Sequence, residues 1–91
     1  MNPTEIKELL NKWHFYKVAA NNLNGQGHLP LKLDMIERTV RQLDEISRKI
    51  IEGRYFDLMG IEDVAREVDM SRQAVHKRIN KFVKSMAYIL A

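Results

Sequence analysis

Hydrophobic residues recur at helical spacing in the last third of the chain. Apolar residues at positions 61, 64, 65 and 68 follow the i, i+3, i+4, i+7 spacing and predict a short helix from Ile61 to Val68. After Asp69 and Met70, apolar residues recur at positions 75, 79, 82, 83 and 86. This second stripe predicts a longer helix over 71–86 with one buried face. Two helices joined by so short a turn indicate a helix-turn-helix.

The turn between these helices carries suitable residues. Asp69 tolerates the left-handed backbone that such turns often need, although less easily than Gly. Ser71 is predicted to cap the second helix by accepting hydrogen bonds from its free N–H groups. Ala65 lies in the middle of the first helix, where a small side chain lets two crossing helices approach closely.

The N-terminal part of the chain also follows a helical period. Apolar residues at positions 6, 9, 10, 13, 16, 20 and 23 predict one helix from about Thr4, its cap, to Asn22. Its cluster Trp13-His14-Phe15-Tyr16 is too aromatic for one narrow stripe. We favour Trp13 and Tyr16 in the core with Phe15 half-exposed. The alternative is that part of the cluster faces a second partner.

The middle of the chain contains one clear break and one ambiguous helical stretch. Residues 21–30 are rich in Asn and Gly and end at Pro30, which predicts a loop. From 33 to 54 the period alone favours one long helix, whereas a break near Leu43, with Asp44 as a cap, gives two; we lean slightly towards the broken pair. We therefore predict an all-α chain of four to five helices, divided into segments 1–30 and 31–91, with a C-terminal helix-turn-helix and no wing.

Composition restricts the class of protein. Ninety-one residues suit one domain with a modest core, and the mean hydropathy of −0.39 fits a soluble protein. No run of eighteen apolar residues is present, so no membrane-spanning helix is expected. The absence of Cys fits a reducing cytoplasm, which is the expected location.

The positive charge of the chain is concentrated near its C-terminus. Residues 71–91 include five basic side chains and no acidic ones, whereas residues 60–70 include one basic and four acidic ones. The net charge of the whole chain is only +3, so its basic excess lies on the predicted second helix. A phosphate backbone attracts such a helix whatever the base sequence.

A resemblance to a known family appears in three short runs. These are Ile50-Ile51-Glu52-Gly53-Arg54-Tyr55, Gly60-Ile61-Glu62-Asp63-Val64-Ala65 and Met70-Ser71-Arg72-Gln73-Ala74-Val75. Over about Leu43 to Met86 the chain resembles region 4 of bacterial sigma factors, and equally the small phage late-gene transcription regulators that share this module. The Ser-Arg-x-Ala-Val run also occurs in winged helix-turn-helix repressors, but only twelve residues follow Ile79, too few for a wing.

The resemblance implies that the helix after the turn recognises DNA in the major groove. Matched residue by residue, contacts to bases are implied for Arg72, Gln73, His76 and Lys77. Asn80 is a further candidate for base contact because Asn can pair with base edges. The remaining candidates would hold phosphates and set the register: Ser71, Arg66, Arg78, Lys81 and Lys84. Arg78 departs from the family, which usually has an apolar residue at this position, and Ile79 takes the buried place.

No other residue pattern indicates enzymatic or metal chemistry. Neighbouring carboxylates such as Glu62 and Asp63 point to different faces of a helix, so they do not form a catalytic pair. The histidines His14, His28 and His76 are far apart in sequence, and no Cys accompanies them. We therefore expect neither an enzyme, nor a metal site, nor a cofactor.

These patterns lead to one functional hypothesis and two alternatives. The chain is expected to bind double-stranded DNA as a sequence-specific transcription regulator, encoded by a phage or prophage and acting as a homodimer. As an interaction module, it would instead dock on RNA polymerase or a sigma factor through its aromatic N-terminal helix. As a phage packaging subunit, it would recognise a packaging site and assemble into a ring.

Overall fold

The computed structural model describes residues 1–22 and 26–91, and these residues form helices without any strand. The all-α prediction is therefore confirmed, although the number of helices is higher than the predicted four to five. The described residues contain six α-helices and one π-helical turn. In chain order they are α1 (Pro3–Asn11), α2 (Trp13–Asn22), α3 (His28–Arg41), α4 (Glu45–Ile51), the π-helical turn (Glu52–Phe56), α5 (Ile61–Glu67) and α6 (Arg72–Ile89).

The first helix begins earlier than predicted, because its cap is Asn2 and not Thr4. The Glu5 N–H donates to Asn2 Oδ1 at 2.8 Å, and the Asn2 N–H donates to Glu5 Oε1 at 3.2 Å. This reciprocal arrangement is a capping box, which satisfies donors at both ends of the first turn. Pro3 follows the cap, where its missing N–H costs nothing. The prediction of Thr4 as the cap was wrong.

The prediction of one continuous helix from Thr4 to Asn22 is also wrong, because the helix is interrupted at Lys12. The Lys12 backbone has φ −111° and ψ 30°, outside the helical region, and α2 starts immediately after it. Ile6, Leu9 and Leu10 of α1 and Trp13 of α2 are all buried. Since both helices turn their apolar faces towards one core, the hydrophobic period continues across the break and conceals it.

The loop predicted over 21–30 is shorter than expected. Asn21 and Asn22 end α2, and α3 begins at His28 after Gly27, whose φ of 88° lies in the region that favours glycine. Pro30 lies in the first turn of α3, where helical N–H groups have no intrahelical acceptor, so it does not interrupt the helix. The part of the predicted loop at 23–25 lies outside the described residues.

The stretch 33–54 is divided, as the broken-pair interpretation predicted. α3 ends at Arg41, and α4 starts after Asp44, whose carboxylate accepts a hydrogen bond from the Ser47 N–H at 3.2 Å. The carboxylate therefore caps α4, and its negative charge lies at the positive end of the helix dipole.

A π-helical turn, Glu52–Phe56, extends α4 through Gly53. The Asp57 N–H donates to the Glu52 carbonyl and the Met59 N–H to the Gly53 carbonyl, both at 2.8 Å. Gly53 is buried, and a Cβ on it would lie 3.2 Å from Met59 Sδ and 3.4 Å from Val64 Cγ2. A Cβ at Gly53 would therefore press on the Met59 side chain, which would have to shift by a few tenths of an ångström.

One hydrophobic core joins both halves of the chain. α1 packs on α6 and α2 packs on α3 and the π-helical turn, where Trp13 and Phe56 stack with ring centroids 4.7 Å apart. Trp13 is buried and Phe15 is 68% exposed, so the core role favoured for Trp13 is confirmed and Phe15 is more exposed than predicted. The segments 1–30 and 31–91 share this core and are not packed as separate bodies.

Candidate nucleic-acid interface

Helices α5 and α6 are joined by the turn that the sequence predicted. Asp69 adopts a φ of 55°, the left-handed backbone expected at this position. The Met70 N–H donates to the Ala65 carbonyl at 3.0 Å, which ties the turn to α5. Ser71 Oγ accepts from the Ala74 N–H at 3.1 Å and so caps α6, as predicted. These bonds fix the direction in which α6 leaves the turn.

The buried face of α6 holds this helix against the core. Val75, Ile79, Phe82, Val83 and Met86 are all buried, which confirms the predicted stripe. Ala65 on α5 is also buried, so the two helices approach closely as its small side chain predicted. Because one face of α6 is fully used for packing, its opposite face has a defined orientation relative to the rest of the molecule.

The opposite face of α6 is an exposed polar ridge, formed by Gln73, Lys77, Asn80 and Lys84. All four side chains are exposed, and they follow an i, i+4, i+7, i+11 spacing that keeps them in one line along the helix. The line is about 16 Å long at the rise of an α-helix. Exposed side chains at the flanks of the ridge widen this polar face, namely Arg72 and His76 on one side and Lys81 on the other.

The lysines of this face differ from the arginines in their electrostatic environment. In the described part of the chain, Lys77, Lys81 and Lys84 form no salt bridge, so their charges are available to an anionic partner. Two arginines of the helix-turn-helix instead contact acids of the first turn of α5. Arg72 Nη1 lies 3.0 Å from Glu62 Oε1, and Arg66 Nη1 lies 3.3 Å from Asp63 Oδ1.

Arg78 lies apart from the other predicted contact residues. Its Nη1 donates to Asp44 Oδ2 at 3.0 Å and to Ser47 Oγ at 2.9 Å, both at the start of α4. Its side chain is 37% exposed, and its end is held towards α4 beside a groove of about 680 Å³ between α6 and α3–α4. The unusual charge at this position is visible in the sequence, but its partner Asp44 is 34 residues away and could not be found from local patterns.

Most of the predicted contact residues share one surface. Every one of them except Arg78 is exposed on α5 or α6: Arg66, Ser71, Arg72, Gln73, His76, Lys77, Asn80, Lys81 and Lys84. The side of α6 that faces the core is apolar. The exposed surface instead carries amide, imidazole, guanidinium and ammonium groups. Such groups donate hydrogen bonds to base edges and to phosphate oxygens.

The described residues offer no comparable arrangement for metal chemistry. Within 1–22 and 26–91, no cluster of His, Asp or Glu side chains could hold a metal ion. His14 is occupied in the fold, since its Nε2 donates to the Phe56 carbonyl at 2.8 Å, whereas His76 remains exposed on α6. No helix in this part of the chain is both long enough and apolar enough to cross a bilayer.

A capped helix that follows a tight turn, buries one face and presents a basic polar ridge defines a helix-turn-helix protein of the DNA-binding class. The family model of sigma-70, region 4 matches residues 33–86, more than half of the chain. The chain therefore belongs to the sigma-70 region 4 family, whose domains bind DNA and RNA polymerase. No curated protein and no solved structure matches the chain.

The family assignment confirms the sigma region 4 resemblance that the three sequence runs indicated. The matched region contains α4 and α5 completely and most of α3 and α6, whereas α1 and α2 lie outside it. The family module of this chain is therefore packed against two additional helices, which contribute Ile6, Leu10 and Trp13 to its core.

Proposed function

We propose that this protein is a transcription regulator that binds specific sequences of double-stranded DNA. The observation that carries the proposal is the exposed ridge Gln73-Lys77-Asn80-Lys84 on a helix whose other face is buried. Membership of a family of DNA-binding domains supports it. In this role α6 enters the major groove, and α5 crosses the phosphate backbone.

In this proposal some residues of α6 contact bases and others contact phosphates. Gln73, His76 and Lys77 lie in the first two turns, the part of a recognition helix that approaches base edges, and Asn80 follows one turn later. Amide side chains such as Gln73 and Asn80 pair with adenine through two hydrogen bonds. Lys81 and Lys84 lie further along the helix, where the groove turns away and phosphates are the nearest groups.

The structure changes one part of the predicted arrangement. Arg78 was predicted to hold a phosphate, but its guanidinium is bound to Asp44 and Ser47. We therefore propose that Arg78 orients α6 against α4, and that Lys81 and Lys84 provide the phosphate contacts on this side. Arg66 near the end of α5 and Ser71 at the cap of α6 remain proposed phosphate contacts beside the turn, because both are exposed.

The most direct test is selection of bound DNA from a random duplex pool at two salt concentrations. We expect one recurrent sequence whose enrichment persists at the higher concentration, because base contacts survive salt better than phosphate contacts do. A variant with Gln73→Ala and Lys77→Ala is the control and should lose the enrichment. Recovery of random sequence at both concentrations would refute the proposal.

We further propose that the protein acts as a homodimer. A single recognition helix covers few base pairs, so one copy of this chain supplies little discrimination among genomic sequences. A dimer would produce a selected site with two-fold symmetry and half-sites separated by about one or more helical turns. Sedimentation with and without the selected DNA tests this directly; a monomer on a single asymmetric site would contradict it.

A second candidate function, docking on RNA polymerase or a sigma factor, is favoured by the exposed aromatic side of α2. Phe15 is 68% exposed and Val18 is 61% exposed, and they lie one helical turn apart on the same face. A pull-down with purified polymerase distinguishes the functions. Binding that survives Arg72→Ala with Lys77→Ala but is lost with Phe15→Ala would support docking as the main role.

The origin and the assembly of the protein have their own tests. The resemblance to small phage late-gene regulators supports a phage or prophage origin, which the genes beside the coding sequence would reveal. The alternative role as a packaging subunit requires a ring. A solution mass of eight or more chains would favour packaging, whereas one or two chains would favour a regulator.

A further inference from the structure

Arg72 and Glu62 form a contact that joins the first turns of the two helices of the helix-turn-helix. Arg72 Nη1 lies 3.0 Å from Glu62 Oε1, and both side chains are largely exposed, at 64% and 71%. Arg72 is the first residue of α6, which is the end of a recognition helix that comes nearest to base edges. The lysines further along α6 form no such pair in the described part of the chain.

We propose that Glu62 is a positioning residue that determines specificity, because it holds the Arg72 guanidinium in place for a base and away from the phosphates. This inference rests on the proposed DNA-binding function and deepens it. Glu62 itself makes no contact with a base in this arrangement. Its role is to restrict the directions in which the Arg72 side chain extends.

The geometry of guanidinium makes such an arrangement effective. A guanidinium has five N–H donors in one plane, so the contact of Nη1 with Glu62 leaves other donors of Arg72 unused. An unrestrained arginine has many rotamers and meets phosphates first, because they surround the groove and attract it at long range. An arginine that is already oriented loses less conformational freedom when it forms two hydrogen bonds with a base, and guanine is the base that best accepts them.

The same carboxylate has an opposite effect on binding without regard to sequence. A negative charge beside the duplex repels phosphates, and this repulsion acts equally on all DNA. Glu62 therefore weakens attachment to random DNA while it sharpens the preference for one sequence. These two effects have opposite signs, which separates positioning from a simple change of charge.

Asp63 provides a matched control for the charge effect. It is the next residue in the first turn of α5, it is also exposed, and its carboxylate contacts Arg66 on its own helix and not α6. Asp63→Asn and Glu62→Gln therefore remove the same charge from nearly the same place. Only Glu62→Gln removes the charged partner of Arg72 and so weakens the hydrogen bond that orients the guanidinium.

The test measures affinity of the full chain for the selected duplex, for its single base-pair variants and for random DNA. Both Glu62→Gln and Asp63→Asn should bind random DNA more tightly, by similar factors. Only Glu62→Gln should lose discrimination, by about fivefold or more, at the base pair where Arg72→Ala also loses it. In the double variant Glu62→Gln with Arg72→Ala, discrimination should equal that of Arg72→Ala alone.

Two results would overturn the proposal about Glu62 while leaving the DNA-binding function intact. Unchanged discrimination in Glu62→Gln, or an equal loss in Asp63→Asn, would show that Glu62 contributes charge alone.

Glu62→Asp, which keeps the charge on a shorter side chain, should lose discrimination without gaining affinity for random DNA. If the wild-type protein prefers no sequence at all, the proposed function itself fails. Thermal unfolding confirms that each variant is folded, as expected for an exposed pair.

Discussion

Arg78 on α6 and Asp44 at the start of α4 are joined by a hydrogen-bonded ion pair, with Nη1 and Oδ2 3.0 Å apart. The same Arg78 nitrogen donates to Ser47 Oγ at 2.9 Å. Asp44 is also the residue that caps α4, so one carboxylate both caps this helix and binds a side chain of α6. The orientation of the polar ridge of α6 is thereby linked to α4.

The two roles of Asp44 are separable by mutation. Asp44→Ala should lower the free energy of unfolding more than Asp44→Asn, because Asn still accepts the capping hydrogen bond while it loses the ion pair. Arg78→Met should change the free energy by less than about 1 kcal/mol, since the pair is partly exposed to solvent. Urea unfolding of the three variants measures these differences. If Arg78→Met costs as much as Asp44→Ala, the ion pair and not the cap dominates.

The stability contributed by Asp44 should depend on pH. Hydrogen bonds from Ser47 and, to a smaller extent, the Arg78 charge hold the pKa of the Asp44 carboxyl below its usual 3.8. Because the folded-state pKa is lower than the unfolded-state pKa, this contribution is complete above the unfolded value and is lost as pH falls through the folded value. The difference in unfolding free energy between wild type and Asp44→Asn should be constant above about pH 5 and shrink below about pH 4. A difference that grows on acidification would contradict this assignment.

A branched side chain at Gly53 should be unfavourable, because Met59 and, on α5, Val64 lie close to it. Gly53→Val should lower the free energy of unfolding by about 1–3 kcal/mol as Met59 and Val64 are displaced. Gly60→Ser is the control, since a Cβ at Gly60 has its nearest contact at 3.7 Å and Ser is a good cap for α5. Chemical denaturation measures both. Equal losses at the two glycines would show that backbone freedom matters more than the close approach.

Trp13 and Phe15 are neighbours in sequence with opposite expected behaviour. Trp13→Ala should lower the free energy of unfolding by about 3–5 kcal/mol, because it removes a buried ring that stacks on Phe56. Phe15→Ala should change it by less than about 0.5 kcal/mol, because Phe15 is exposed. Thermal unfolding provides the comparison. A large loss of stability with Phe15→Ala would mean that this side chain is covered in solution.

Gln73 and Lys84 should affect DNA binding in different ways. Gln73→Ala should relax base preference by about 1–3 kcal/mol at one position if the amide makes two hydrogen bonds with a base. Lys84→Ala should weaken binding to all sequences alike and reduce the salt dependence by about one charge. Affinities for selected and random duplexes at several salt concentrations distinguish these effects. Identical behaviour of the two variants would count against the proposed division between bases and phosphates.

Local sequence signals predicted the helix-turn-helix well because its determinants are local. The apolar period of α5 and α6, the cap at Ser71 and the left-handed backbone at Asp69 each depend on residues within one or two turns. The division between α3 and α4 was only slightly favoured in the sequence, and Asp44 was the residue that indicated it. At this position the capping residue predicted the helix boundary better than the hydrophobic period did.

The N-terminal half shows where local patterns fail. A hydrophobic stripe reports which residues face the core, and α1 and α2 face the same core on either side of Lys12. The stripe therefore continued through a break in the backbone. Gly53 shows a second case, since a residue that disfavours helices lies inside helical backbone. A Cβ there would lie 3.2 Å from Met59 Sδ and 3.4 Å from Val64 Cγ2, and both atoms come close only through tertiary packing.

The sequence by itself determined the helical class, the helix-turn-helix and the polar face of α6, because side-chain period, capping and charge act over a few residues. Tertiary structure alone decided which cations remain available. Arg72 is paired with Glu62 and Arg78 with Asp44, whereas Lys77, Lys81 and Lys84 have no salt-bridge partner among the described residues. The partner of Arg78 lies 34 residues away in the chain and becomes its neighbour only when α4 and α6 pack on the shared core.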